Sequence, residues 1–158
     1  MATRRLPVIQ EPTGADAEAA ARPAWHWVLI GSGMLVTIFL PSALAALALA
    51  RTAPVVRWLG ATVAAGTAAG VTFGLSAAIA GYLVARFGPR AQLRHAAQAG
   101  LLGALELWGL VLLSGGFQGA FLGLSTLLML AAVGAAFCVL GAWLRSRNKA
   151  GQRAVPKL

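Results

Sequence analysis

Glu106 is the residue whose type and position could do chemistry. The chain has four acids, and three of them, Glu11, Asp16 and Glu18, fall in a polar leading segment. Glu106 stands alone inside an apolar run. A charged side chain at the centre of a membrane helix costs about 2.5–3.5 kcal/mol on insertion scales, so an acid there needs a partner or a task. Three roles fit: a proton or cation site, a hydrogen bond to a neighbouring helix worth on the order of 0.6–2 kcal/mol, or a contact with a partner subunit. Gly103 and Gly109 lie three residues to either side, with Leu102 and Leu110 beside them. Small neighbours on that face point the acid at another helix rather than at lipid. It is expected near the middle of its run and toward the outer half. The partners expected for it are Thr67, Thr72 and Ser76, or Ser125 and Thr126; Gln118 is nearer the outer surface, and Arg57 reaches it only with a favourable tilt. Trp108, two residues on, points to a different helix face.

The remaining reactive side chains form no chemistry set. His26 and His95 each sit near the start of an apolar run. Two such histidines could hold a haem axially, but Trp25-His26-Trp27 fits an interfacial anchor and His95 beside Arg94 fits a basic turn. The scattered His, Cys, Asp and Glu lack any metal-ligand spacing. Gly31-Ser32-Gly33 lacks the lysine and further glycines of a phosphate loop, and no serine-centred hydrolase elbow occurs. The single cysteine, Cys138, lies in an apolar run and excludes an intramolecular disulfide. The reading is a chain with no catalytic residue, no bound cofactor and no metal, and not an enzyme.

The elements that hold Glu106 are set by composition. Hydrophobic residues make up 59% of the chain and charged ones 11%, with mean hydropathy +0.77; soluble domains carry roughly 25% charged residues. Four apolar runs follow, at about residues 25–50, 59–85, 96–113 and 117–144. Each is close to the length of about 20 residues that crosses a bilayer as a helix. The expected fold is all-α, a four-helix transmembrane bundle, with a disordered N-terminal tail over residues 1–24 and a basic C-terminal tail over 145–158. Pro41 should kink the first run, with Thr37 helping to satisfy the carbonyl that it frees. Phe87-Gly88-Pro89-Arg90 and Ser114-Gly115-Gly116 mark turns. The Ala-Leu-Ala at residues 48–50 resembles a signal-cleavage site, but the run before it is far longer than a signal core of about 7–15 residues. No internal repeat aligns the two halves.

Charge gives the orientation. Of thirteen Lys and Arg, all but Arg51 and Arg57 fall on one side of a four-span arrangement: Arg4, Arg5 and Arg22, then Arg86, Arg90 and Arg94, then five in the last segment. Basic residues stay on the cytoplasmic side, so both termini are expected there. The net charge of +9 then reflects topology and attraction to anionic lipid rather than nucleic-acid binding. The expected partners are the lipid bilayer and a membrane-protein partner or a second copy, with no nucleic acid.

Glycine spacing supplies packing. Gly66, Gly70 and Gly74 recur every fourth residue as a glycine zipper, and Gly81 adds to that run. Gly119 and Gly123 form a further pair, and such small residues let membrane helices approach closely. In size, helix number and a lone membrane glutamate the chain is similar to small multidrug-resistance exporters. That family carries its glutamate in the first helix, whereas Glu106 is in the third, so no transport residue carries over. The stretch Gly81-Tyr82-Leu83-Val84-Ala85-Arg86, the Gly88-Pro89 turn and the apolar helix starting near Ala96 resemble uncharacterised small glycine-rich four-helix bacterial membrane proteins, over about residues 60–144. The resemblance implies a multi-pass protein of the bacterial cytoplasmic (inner) membrane. The expected role is a non-enzymatic accessory, assembly or scaffold subunit; the alternative is a small homo-oligomeric transporter or channel that uses Glu106.

Overall fold

In the computed structural model, residues 23–52, 60–88, 92–114 and 120–153 are described. They form four helices: α1 (Ala24–Thr52), α2 (Ala61–Phe87), α3 (Leu93–Leu113) and α4 (Ala120–Arg153). All four are long and apolar enough to cross a membrane. The tail expected over residues 1–24 and the Gly119 position lie outside the described residues, apart from the last residues before α1. Helix α4 continues through Arg145 and Arg147 to Arg153, past the end of the apolar run. No proline or glycine intervenes before Gly151, and arginine is a good helix former.

The helices alternate in direction, but their order around the bundle is not their order in the chain. Helix α1 packs on α2 and α3, α4 packs on the same two, and α2 and α3 touch only briefly. The ring therefore runs α1, α2, α4, α3. Neighbours α1–α3 and α2–α4 are parallel, as shown by Gly31 near Ala99 with Gly103 near Leu35, and by Gly134 near Phe73 with Gly81 near Cys138.

Close packing is concentrated toward the end where Arg86, Arg94 and Arg145 lie, here the arginine end. A Cβ added at Gly31 would meet Val84 Cγ2 at 2.6 Å and Ala99 Cβ at 2.8 Å. One at Gly81 would meet the Cys138 backbone at 2.6 Å, and one at Gly100 the Ala135 amide at 2.8 Å. Gly141 runs against the backbone of Ala78 and Tyr82. Glycine at these points lets four backbones share one waist. Phe73, Leu35, Ala77 and Cys138 fill the core beside it, and Phe39 meets the Phe73 ring edge-on at 5.5 Å. The Cys138 thiol donates to Ala77 O at 3.1 Å, which ties α4 to α2.

The far halves of the helices are looser. Gly66, Gly70 and Gly109 have open space where a side chain would stand, and Leu44, Leu49 and Leu113 are largely exposed. Near Pro41, the Thr37 hydroxyl donates to Gly33 O at 2.8 Å and the Ser42 hydroxyl to Ile38 O at 2.6 Å. Thr37 thus bonds the preceding turn and not its own carbonyl, which is the one Pro41 frees. Threonine reaches the carbonyl four residues back more readily in a helix.

Candidate functional site: the Glu106–Ser32 pair

Glu106 belongs to α3, and its hydrogen-bond partner is on α1. The Ser32 hydroxyl lies 3.0 Å from Glu106 Oε1 and 3.0 Å from Leu29 O. Ser32 is buried, at 1% exposure, because Gly31 brings α1 hard against α2 and α3 at that level. Glu106 itself is exposed. The acid therefore stands at the rim of the α1–α3 seam and reaches inward to a buried hydroxyl.

Geometry explains how residues at different heights meet. Helix side chains lean toward the helix N-terminus, and that of α3 is at the arginine end. The Glu106 carboxyl is thereby carried down toward Ser32, which sits on only the third turn of α1. Its polar contact lies in the arginine-end half rather than the outer half. A hydroxyl has one proton, so Ser32 cannot give a full hydrogen bond to both Leu29 O and Glu106. A group at position 106 that can donate as well as accept, such as a carboxylic acid or an amide, completes a chain through Ser32 to Leu29 O.

The partners expected from spacing are arranged differently. The Thr67 and Thr72 hydroxyls donate within α2, to Val63 O and Ala68 O. Ser76 is buried in α2, which meets α3 only briefly. Arg57 and Gln118 lie outside the described residues. Ser32 stands outside the partners that spacing offers, because in the sequence it reads only as the middle of Gly31-Ser32-Gly33. A serine between two glycines in an apolar run was the available signal, since the glycines bury it against neighbouring helices.

The flanking glycines differ in what they do. A Cβ added at Gly103 would meet Leu35 of α1 at 3.1 Å, while one at Gly109 would meet nothing within 4 Å. Trp108 points the other way: its Nε1–H donates to Gly123 O at 2.7 Å and ties α3 to α4. Of the α2 ladder, a Cβ at Gly74 would meet the Phe137 ring at 3.3 Å and one at Gly81 would run into α4, whereas Gly66 and Gly70 face outward. Gly123 is buried.

The histidines are engaged in local structure. His95 Nδ1 accepts from the Gln92 backbone amide at 3.0 Å, and the Gln92 side chain accepts from the His95 amide, a reciprocal cap on the start of α3. The His26 ring lies tilted against the Trp25 ring, with centroids 3.9 Å apart and planes 52° from parallel. Among the described residues no group of three His, Cys, Asp or Glu could hold a metal. No protein-family model, curated protein or solved structure matches this chain.

Proposed function

We propose that the chain is a multi-pass protein of the bacterial cytoplasmic membrane, with both termini cytoplasmic, that acts as a non-enzymatic accessory, assembly or scaffold subunit. The observation that carries this reading is the exposure of Glu106 in an otherwise apolar span, with a serine hydroxyl as its bundle partner. An acid left facing lipid is costly. A partner helix that presents a donor to the open side of the carboxyl would remove that cost. A Cβ added at Gly33 or Gly109, on the two helices that form the seam, would meet nothing within 4 Å, so a second backbone could come close there. The bundle's own chemistry supports a binding role, since its histidines and cysteine are engaged in caps and packing.

The experiment is affinity purification from the native membrane in mild detergent, followed by native mass spectrometry. A stoichiometric second protein, lost on Glu106→Leu, is the expected result; a monomer with no companion defeats the reading.

A second reading rests on the same exposed acid. Two or more copies could bring their Glu106 carboxyls to a shared axis and form a small transporter or channel. A homo-oligomer without other proteins, with ion or proton flux abolished by Glu106→Gln, would establish it. Flux indifferent to that change would remove it.

A further inference from the structure

At the arginine end, α2, α3 and α4 line an open cavity of ≈ 530 Å³ whose walls include Ala85, Gln92, Arg94, Ala142, Arg145 and Ser146. Two guanidinium-bearing residues from different helices line it, and among the described residues no carboxylate does. Arg145 Nε is shut off from solvent and has no hydrogen-bond partner. Its guanidinium lies 6.0 Å from the Tyr82 ring centroid, an orientation that holds the side chain over the ring. Two cations that line one cavity repel each other, and one oxyanion bound between them relieves that repulsion.

The other polar groups narrow the ligand. The Gln92 side chain already accepts from the His95 amide, so its amide N–H groups remain as donors. The Ser146 hydroxyl donates to Trp143 O and offers only acceptor capacity. The cavity also lies at the N-terminus of α3, whose dipole favours negative charge. The donors are therefore two guanidiniums and an amide, which suits the several acceptor oxygens of a phosphate. Ala85, Leu93 and Ala142 give an apolar side beside this polar end.

We propose that this cavity binds a phosphate group, held by Arg94 and Arg145 with Gln92, and that an anionic phospholipid headgroup supplies it, its glycerol end against the alanines. The lipid source rests on the membrane reading above, which places the arginine end at the headgroup level. The phosphate chemistry itself does not.

The test uses the full-length protein in detergent micelles, with thermal shift and native mass spectrometry as readouts. Phosphatidylglycerol is titrated against zwitterionic phosphatidylcholine, and inorganic phosphate against chloride at equal ionic strength. Preferential binding of phosphatidylglycerol is expected, weakened roughly five- to tenfold by Arg94→Gln and by Arg145→Gln. Arg147→Gln should leave it unchanged, because Arg147 lies over Trp143 at 4.6 Å and does not line the cavity. Arg94 is exposed, so its replacement reads the site even if Arg145→Gln disturbs folding. Binding of inorganic phosphate alone, with the same mutant pattern, keeps the site and assigns a soluble phosphate as its ligand. No preference for either anion, or equal losses in all three variants, overturns the proposal. Micelle binding involves no topology, so its failure leaves the membrane orientation untouched.

Discussion

At residue 106 the decisive fact is that the partner hydroxyl is buried while the acid is not. Ser32 already has Leu29 O within reach, so what it asks of residue 106 is a group that can share or supply a proton. Glutamine has the same length and an N–H donor. Glu106→Gln should therefore hold the melting temperature in detergent close to that of the parent. Ser32→Ala removes the inward contact and should cost on the order of 0.6–2 kcal/mol. A large fall in thermal stability for Glu106→Gln, with Ser32→Ala neutral, would show that the pair does not hold α1 to α3. Glycine gives a second contrast at this scale. A methyl at Gly81 or Gly141 runs into the backbone of α4 or α2, while one at Gly66 or Gly70 meets nothing. Gly81→Ala and Gly141→Ala should lose folded protein in size-exclusion profiles. Gly66→Ala and Gly70→Ala should be neutral or gain up to about 1 kcal/mol from helix propensity. Sequence spacing alone favours the opposite ranking, since Gly66, Gly70 and Gly74 form the most regular ladder. Periodicity marks a face as small; it does not say whether another helix stands against it.

At the scale of the element, the ends of α3 show what its short length depends on. Its start is closed by the exchange between Gln92 and His95, and its later half is tied by Trp108 to Gly123 O. His95→Ala removes an acceptor for the Gln92 amide and should lower stability by about 1 kcal/mol. His95→Gln restores an acceptor at the third helical position, where glutamine serves this purpose in capping boxes, and should recover most of the loss. The comparison is read by thermal unfolding of the two variants side by side; equal losses would mean that His95 acts through packing instead. The four helices were legible in the sequence because apolar runs of this length, with at most one charge, have few other outcomes. This cap was not. Its place beside Arg94 puts His95 in a basic turn, and its role depends on a backbone amide three residues earlier that no side-chain pattern displays. The continuation of α4 to Arg153 was hidden for a related reason. Hydropathy ends where the apolar residues end, whereas helix propensity carries on through arginine, lysine and alanine.

For the whole molecule, the ring order α1, α2, α4, α3 is the part of the fold that sequence could not supply. Short connections suggest consecutive neighbours, yet α2 and α3 barely meet, and the waist is built from Gly31, Gly81, Gly100, Gly134 and Gly141. Those glycines are spread over all four runs, and only surface complementarity pairs them. That order also sets the acid's partner: Ser32 becomes a neighbour of Glu106 only when α1 stands beside α3. What sequence does supply at this scale is a sidedness that the bundle geometry then uses. The segments that carry Arg86, Arg94 and Arg145 meet at one end, as the alternating directions of α2, α3 and α4 require. If basic residues set the orientation, reporter fusions should divide cleanly. Fusions after residues 153 and 90 should be fluorescent with a cytoplasm-dependent reporter. Fusions after residues 56 and 116 should be active only with an export-dependent phosphatase. The same rule predicts how the orientation breaks. Arg51 and Arg57 are the only basic residues on the other side, so neutralising them should change nothing. Neutralising Arg86, Arg90 and Arg94 together should produce a mixed population in the residue-90 fusion, because it removes the charge that keeps the central turn inside while the two terminal segments still hold theirs. A uniform cytoplasmic signal from that triple variant would show that the close-packed waist, rather than charge, fixes how the hairpins insert.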